Sequence, residues 1–496
     1  MSDLTPTETP DYRNGEHIEM APGWALVSDL RRGQRHMRGL KQKYLPKNSL
    51  ETPKKYGNRV AMTRFYNVYS HTEESLVGLA FRKDPVLGSD VPAFIRGTKK
   101  RGSGIAENID LQGTHLSLFL RQIFKWAFDG HAFIHVEMPP KLPGKPSRLD
   151  AVKAGRRPYW RPYRAEQALN WDIGNDERGV PRLKQISFLE AVQVQDGRFG
   201  KKFKSQYRVL VPGGWELWEE TVADGRTSVT RVAAEKIDLK EIPVAPVYGH
   251  KTGALTSRPP LEDLAWENVY HFQLCSEFRN VTHIANTPVM VRVNAKMGQD
   301  GNPLPFGVDK IIDVGLQGDA KWMEHNGRAI PHARTEIKDS EGRMAVIGVS
   351  LVGGRPEIET TATKSVLDNV EQTSSLGLMV RSLVDGAERC MGWSSEFMGE
   401  GSDGGSLNMN KSFNHLQLDA GKIDALSRLV EAEQLTTETL WAILQRAEEL
   451  PDEFDVVEEA KRLAKAREAD GAGGGGKPGE KDDKPGKGSG DDPAEE

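Results

Sequence analysis

The stretch whose residue types and spacing could carry chemistry is HAFIHVEM at 131–138. In an extended chain alternate side chains share a face. His131, Phe133, His135 and Glu137 therefore point one way and Ala132, Ile134 and Val136 the other. Two histidines and a carboxylate on one face can hold iron or zinc. The plainer reading makes them the polar side of an amphipathic strand. Metal triads usually need support from other segments, so the plainer reading is preferred and no metal, cofactor or catalytic residue is expected.

The phosphate-binding patterns fail on inspection. GTKKRGS at 97–103 has the glycine spacing of a phosphate loop but carries Ser103 where lysine must reach the phosphates. A second match, at 471–478, ends in Pro478 where the magnesium-holding hydroxyl is needed. An ATP-driven motor is not expected. GEGSDG at 399–404 matches a dinucleotide fingerprint by letter, but it follows a helical pattern and precedes LNMNKSF, so it reads as a loop. GxSxG, HExxH and calcium-loop patterns are absent. Cys275 and Cys390 are far apart and in no CxxC spacing, which argues against a disulfide framework or zinc site and fits a reducing compartment. The tryptophans at 126, 160, 171, 215, 218 and 266 read as packing residues.

The elements that must position these residues belong to a long chain. Its 496 residues imply several parts. Lys plus Arg number 67 against 71 Asp plus Glu, a net charge of -4, which does not suit a nucleic-acid-coating protein. A near-neutral wall still permits DNA to slide, since a strongly cationic one would trap it by counterion release. Mean hydropathy is -0.55. The amino terminus lacks a signal-peptide pattern, and the most apolar run, LSLFLRQIFKWAFDG, is interrupted by Arg121 and Lys125. Folding in a cytoplasm, with no membrane, is expected.

Residues 1–21 read as a loose polar segment. A basic helix is expected from Trp24 to Tyr44, with Arg31, Arg32, Arg35, Arg38, Lys41 and Lys43 forming a solvated face in preference to a contact with phosphate or an acidic neighbour. Helical patterns follow at 57–80 and 113–129, and strands with glycine turns at 183–245, resembling an antiparallel sheet. Arg258-Pro259-Pro260 opens a helix to about Ile284, ~40 Å long at ~1.5 Å per residue. Glycine-punctuated strands fill 288–330. Residues 332–352 suit either helix or strand, Gly342 and the MAVIGVSLV run counting against a helix. A helix is read at 362–391, bent near Gln372–Ser375 and Gly377, then helices at 419–448 and 453–468, and a glycine-rich disordered tail.

Several segments, in order, resemble portal proteins of tailed double-stranded-DNA bacteriophages, in particular a divergent prophage group. They are KYLPK at 43–47, RFYN at 64–67, VGLAFRKDP at 77–85, YRVL at 207–210 and EIPVAPVY at 241–248. PLEDLA at 260–265, TAT at 361–363 leading to Trp393, and LTTET at 435–439 leading to Leu450-Pro451 complete the set. Each is weak alone; their order across about 22–466 carries the resemblance. It implies an α+β portal fold that assembles as a ring, normally a dodecamer, with wing at 22–256, first stem helix at 257–287, clip at 288–330 and second stem segment at 331–352. The tunnel loop would be 353–361, the bent tunnel helix and wing return 362–414, the crown 415–466 and the tail 467–496. It further implies a virion location at one capsid vertex, with capsid protein, terminase and a head-completion adaptor or tail as partners. DNA would pass without base reading. Arg355 and Lys364 are the candidate phosphate contacts in that channel. The rival readings are another ring-forming head-completion or tail protein, and a metal-dependent hydrolase using His131, His135 and Glu137.

Overall fold

Local hydrogen bonds fix where the first helices start. The computed structural model describes residues 8–98, 102–139, 155–223, 226–286, 289–295, 314–323, 329–350, 375–410 and parts of 426–465. Asn14 Oδ1 accepts the His17 amide at 2.9 Å and opens α1, Gly15–Arg31. The helix therefore begins inside the segment expected to be loose, and His17 and Trp24 are buried on it. The basic helix expected over 24–44 is instead three pieces: the end of α1, α2 (Gly33–Gly39) and a tight turn at Lys41–Lys43. Nor is its cationic side merely solvated. Arg31 pairs with Glu73 and Asp129, Arg38 donates to the Thr63 carbonyl, and Lys43 pairs with Asp29. The pattern read at 57–80 divides into α3 (Pro53–Met62), with Thr52 capping, and α4 (Val68–Ala80), with Asn67 capping.

After β1 (Val86–Leu87) and the single turn α5 (Ala93–Arg96), the GTKKRGS segment holds a small pairing of β2 (Gly97–Thr98) with β3 (Gly102–Ser103). Amphipathic α6, Leu116–Ala127, buries Phe119, Leu120, Ile123 and Phe124. It leads through Gly130 into β4, His131–Glu137. Gly130 has a φ of +121°, and a Cβ there would stand 2.4 Å from Ser257 Oγ, so only glycine fits. Strand β4 is the middle of a three-stranded antiparallel sheet, between β5 (Tyr159–Arg164) and β11 (Val244–Tyr248). A second sheet is a meander of β6 (Ala168–Asn175), β7 (Pro181–Asp196), β8 (Gly200–Val211), β9 (Gly214–Ala223) and β10 (Arg226–Lys236). The antiparallel reading of 183–245 thus holds for its first four strands. EIPVAPVY instead supplies β11 and pairs with HAFIHVE, Ala245 opposite Ile134.

Two cores result. Ala132, Ile134 and Val136 face the helices, with Phe124, Leu383, Ala387 and Cys390 in the same cluster. Phe133 faces the meander, among Tyr163, Ile186, Phe188 and Leu210. Strand β4 is therefore roofed on both sides, and all seven of its residues are buried. The amphipathic pattern in the sequence conceals this, because the polar face meets a second layer of protein instead of water.

The pair β12 (Lys251–Gly253) and β13 (Thr256–Ser257) precedes α7, Glu262–Ala285, which starts after the two prolines and is about 36 Å long. Strands β14 (Val289–Ala295) and β15 (Val314–Met323) form an antiparallel ribbon, Val293 opposite Asp319. The ambiguous segment resolves as helix α8, Ala329–Ser350. Gly342 costs about 1 kcal/mol there against alanine, a penalty tertiary contacts offset. Helix α9, Ser375–Met398, crosses the three-stranded sheet, and β16 (Leu407–Asn408) pairs with β1. Residues 415–496 form a separate unit, in which Thr436 caps α10, Thr437–Arg446.

Candidate functional site

His131, His135 and Glu137 do lie on one face of β4, as the alternation requires, but all three are buried inside the protein, the His135 ring stacked on Tyr163. His131 Nδ1 lies 2.6 Å from Ser257 Oγ, and its ring packs edge-on against Phe133 and Trp24. Burial pushes its pKa down to about 3, so the ring is neutral at physiological pH. His135 is held well below the ordinary histidine range by burial and by the Arg208 and Arg161 guanidiniums. A protonated imidazole there would meet two cations in a dry interior. Glu137 is bound by Arg208 Nη1 at 2.8 Å, by Arg161 Nη2 at 3.4 Å and by the Tyr159 hydroxyl at 2.7 Å. Its lone pairs are thus committed to cations and a phenol. Among the described residues no group of three or more His, Cys, Asp or Glu is arranged to hold a metal.

The larger part of this constellation escaped the sequence reading. Glu190, on β7, accepts from Arg208 Nε at 2.7 Å, Arg161 Nη1 at 2.8 Å, Gln206 at 2.8 Å and the Tyr163 hydroxyl at 2.5 Å. Burial alone would raise its pKa, but the two guanidiniums outweigh burial and hold it at about 2. Tyr163 is driven well above the usual phenol range by burial and by the Glu190 charge. This network fastens the meander to the three-stranded sheet. It is a clamp, with every acid answered by a base. A lone Glu190 within the apolar QISFLEAV run and Arg208 within YRVL were the available signals.

A second buried cluster ties the helical layer together. Arg31 Nε donates to Glu73 at 2.8 Å and Arg31 also pairs with Asp129, which Arg164 approaches at 3.5 Å. Burial raises the Glu73 pKa against the pull of Arg31. A cleft of about 690 Å³ opens beside it, bordered by Arg13, His17, Trp24, Arg164, Glu166 and Leu189. Both charge signs line it. Sequence reading missed it because its walls come from α1, the 165–167 turn and β7.

The remaining feature is the paired segment α7–ribbon–α8. The two helices run antiparallel, clasped by Ser340 Oγ to Glu267 at 2.7 Å, Arg343 Nε to Glu267 at 3.0 Å and Tyr270 Oη to Glu336 at 3.1 Å. Along α8, Ala333, Ile337, Ser340, Met344 and Ile347 form a narrow seam of buried and half-buried positions. Most of the rest of α8 is exposed. On α7 the fully buried residues stop at Ser276, while Trp266 and Ile284 are more than half exposed. Arg355 and Lys364, with the expected tunnel loop, the start of the 362–391 helix and its bend at Gln372–Ser374, lie outside the described residues. The GEGSDG segment is a loop after α9, as read.

The family described as "Domain of unknown function (DUF4055)" matches residues 260–398, the span from α7 to the end of α9. A search of curated protein sequences finds no significant match. Among solved structures the chain is similar to a component of "Virion of native gene transfer agent (GTA) particle", at 12% identity, covering 76% of this chain and 89% of that one, with a TM-score of 0.36. A component of "Neck of empty GTA particle computed with C6 symmetry" matches at 11% identity, covering 77% and 90%, TM-score 0.37. A component of "Neck of native GTA particle computed with C12 symmetry" matches at 10%, covering 82% and 98%, TM-score 0.36. Overlaps this loose carry no argument about what the chain does. Among the described residues no helix is long and apolar enough to cross a membrane.

Proposed function

We propose that the chain is a portal subunit: a structural protein that closes into a ring at one vertex of a bacteriophage or prophage capsid and passes double-stranded DNA. It works without catalysis, metal or cofactor. The observation that carries the reading is the antiparallel α7–ribbon–α8 excursion: α7 is packed on the helical core as far as Ser276 but exposes Trp266 and Ile284, and α8 meets the subunit along one thin seam and leaves most of its surface exposed. Helix α8 and the part of α7 after Ser276 stay largely exposed or half-buried within the subunit. Side by side with copies, such pairs cover one another and line a hole. The ordered resemblance of the segments at 43–47, 77–85, 241–248 and 260–265 to portal proteins supports the same reading.

The physics is that of a head-to-tail contact, which closes when each subunit buries two different faces. DNA in the bore presents one charge per ~1.7 Å of axis, so its wall must touch without trapping. Arg355 and Lys364 are the proposed phosphate contacts, and terminase, capsid protein and a head-completion adaptor or tail are the proposed partners in the virion. Native mass spectrometry with negative-stain imaging of the purified chain tests the proposal. A funnel-shaped ring, wide at one end and narrow at the other, is expected. A flat ring without the wide body would identify a head-completion or tail protein instead. A monomer at every concentration, or stoichiometric zinc or iron lost on His135→Ala, would overturn the structural reading altogether.

A further inference from the structure

The hairpin joining β7 to β8 runs well past the sheet that anchors it. From 191 to 203 every residue except Val194 is exposed, on both faces of the ribbon, over a reach of about 20 Å. Such a finger adds nothing to either core. Its composition is unlike the rest of this slightly acidic chain: Arg198, Lys201, Lys202 and Lys204 stand within seven residues, against a single carboxylate at Asp196. Phe199, in the turn, is 85% exposed, and Phe203 is 72% exposed. Exposing two phenylalanines at the tip is costly in water unless something covers them.

The register decides what could cover them. Phe203 pairs with Gln193 and Lys201 with Gln195, so one face presents a bare aromatic ring beside a lysine, with amides opposite. Lys202 and Lys204 lie on the other face, near Asp196 and Glu219. Arg198 stands over the Phe199 ring at 4.9 Å. A membrane-inserting tip needs a continuous apolar face; here each ring is flanked by charge or amide. Rings set among cations suit a polyanion that carries its own flat π-faces, with bases stacking on phenylalanine and phosphates meeting lysine and arginine.

We propose that this finger binds nucleic acid, through the phosphate backbone on Arg198, Lys201 and Lys202 and through stacking of unpaired bases on Phe199 and Phe203. The contact is separate from any channel residue and does not depend on ring formation. The purified full chain is titrated into fluorescein-labelled dT30 and into a labelled 30-base-pair duplex, followed by anisotropy from 25 to 200 mM NaCl. Binding to both probes is expected, tighter to dT30. Arg198→Glu/Lys201→Glu/Lys202→Glu should weaken both at least tenfold and flatten the dT30 salt slope by about 2, at roughly 0.7 per phosphate contact. Phe199→Ser/Phe203→Ser should weaken dT30 about tenfold while sparing the duplex. All five positions are exposed on both faces of a free hairpin, so the variants fold. Wild-type affinity in the charge-reversed variant overturns the proposal, as does the absence of binding to either probe at 25 mM NaCl. Phe-dependent sedimentation with phosphatidylglycerol vesicles, undiminished by competing dT30, overturns it in favour of a lipid surface. Native mass spectra of the same samples read ring formation independently, so failure of the finger and failure of the portal reading remain distinguishable.

Discussion

Replacing Arg208 by methionine removes the cation common to both acids of the buried clamp while keeping an apolar stem over Trp215. Its side chain is 7% exposed and contacts Glu137 at 2.8 Å and Glu190 at 2.7 Å. Two independent routes set the cost. The Glu190 pKa, depressed from 4.5 to about 2 by Arg208, Arg161 and Tyr163 together, sets a ceiling of about 3 kcal/mol at neutral pH on what Arg208 contributes through that acid, at about 1.4 kcal/mol per pH unit. Removing one partner of a buried ion pair typically costs about 3–5 kcal/mol. Because Arg161 still reaches Glu190 at 2.8 Å, the lower figure applies. Amide hydrogen exchange of β4, β7 and β8 reads this layer alone, and protection there should fall about 150-fold in Arg208→Met. The acid limb gives a second handle. A carboxylate depressed in the fold stabilises it fully above its unfolded pKa and loses that contribution as pH falls through the folded one. The difference between wild type and variant should therefore shrink to about half by pH 3. Protection within threefold of wild type at pH 7, or a difference that grows on acidification, would refute the clamp.

His131, depressed to about 3, makes the fold weaken as pH falls from about 6.5 toward 3, because the unfolded chain takes the proton first; the slope is up to about 1.4 kcal/mol per pH unit. His131→Phe should blunt that slope in urea titrations at pH 5 and 7. Cys390 is fully buried with its thiol pushed well above the usual range, so it should resist a thiol reagent in the native protein and react only on denaturation. Trp266, 56% exposed on α7, should serve a neighbouring subunit if the proposed ring forms: Trp266→Glu is expected to weaken assembly at least tenfold by native mass spectrometry and leave the circular dichroism unchanged.

Much of the local structure was decided by residues close in sequence. Proline and Asx or Thr caps start α1, α3 and α4, the alternation of HAFIHVE makes β4 a strand, and glycine turns mark the meander. The position of GEGSDG after a helix also read correctly without a fold. What sequence could not decide is which surfaces meet. EIPVAPVY reads as a further meander strand, yet its partner, HAFIHVE, lies more than a hundred residues earlier, a pairing set by long-range packing. MAVIGVSLV has strand-like composition over its β-branched residues, but Met344 joins the helical core and Ile347 packs against it, and that contact outweighs propensity. The His131–His135–Glu137 face has the alternation of a strand open to water on one side; only a second sheet laid across it turns those side chains into a dry, neutral and ion-paired interior. Alternation reports polarity along a chain, and burial depends on what arrives from elsewhere.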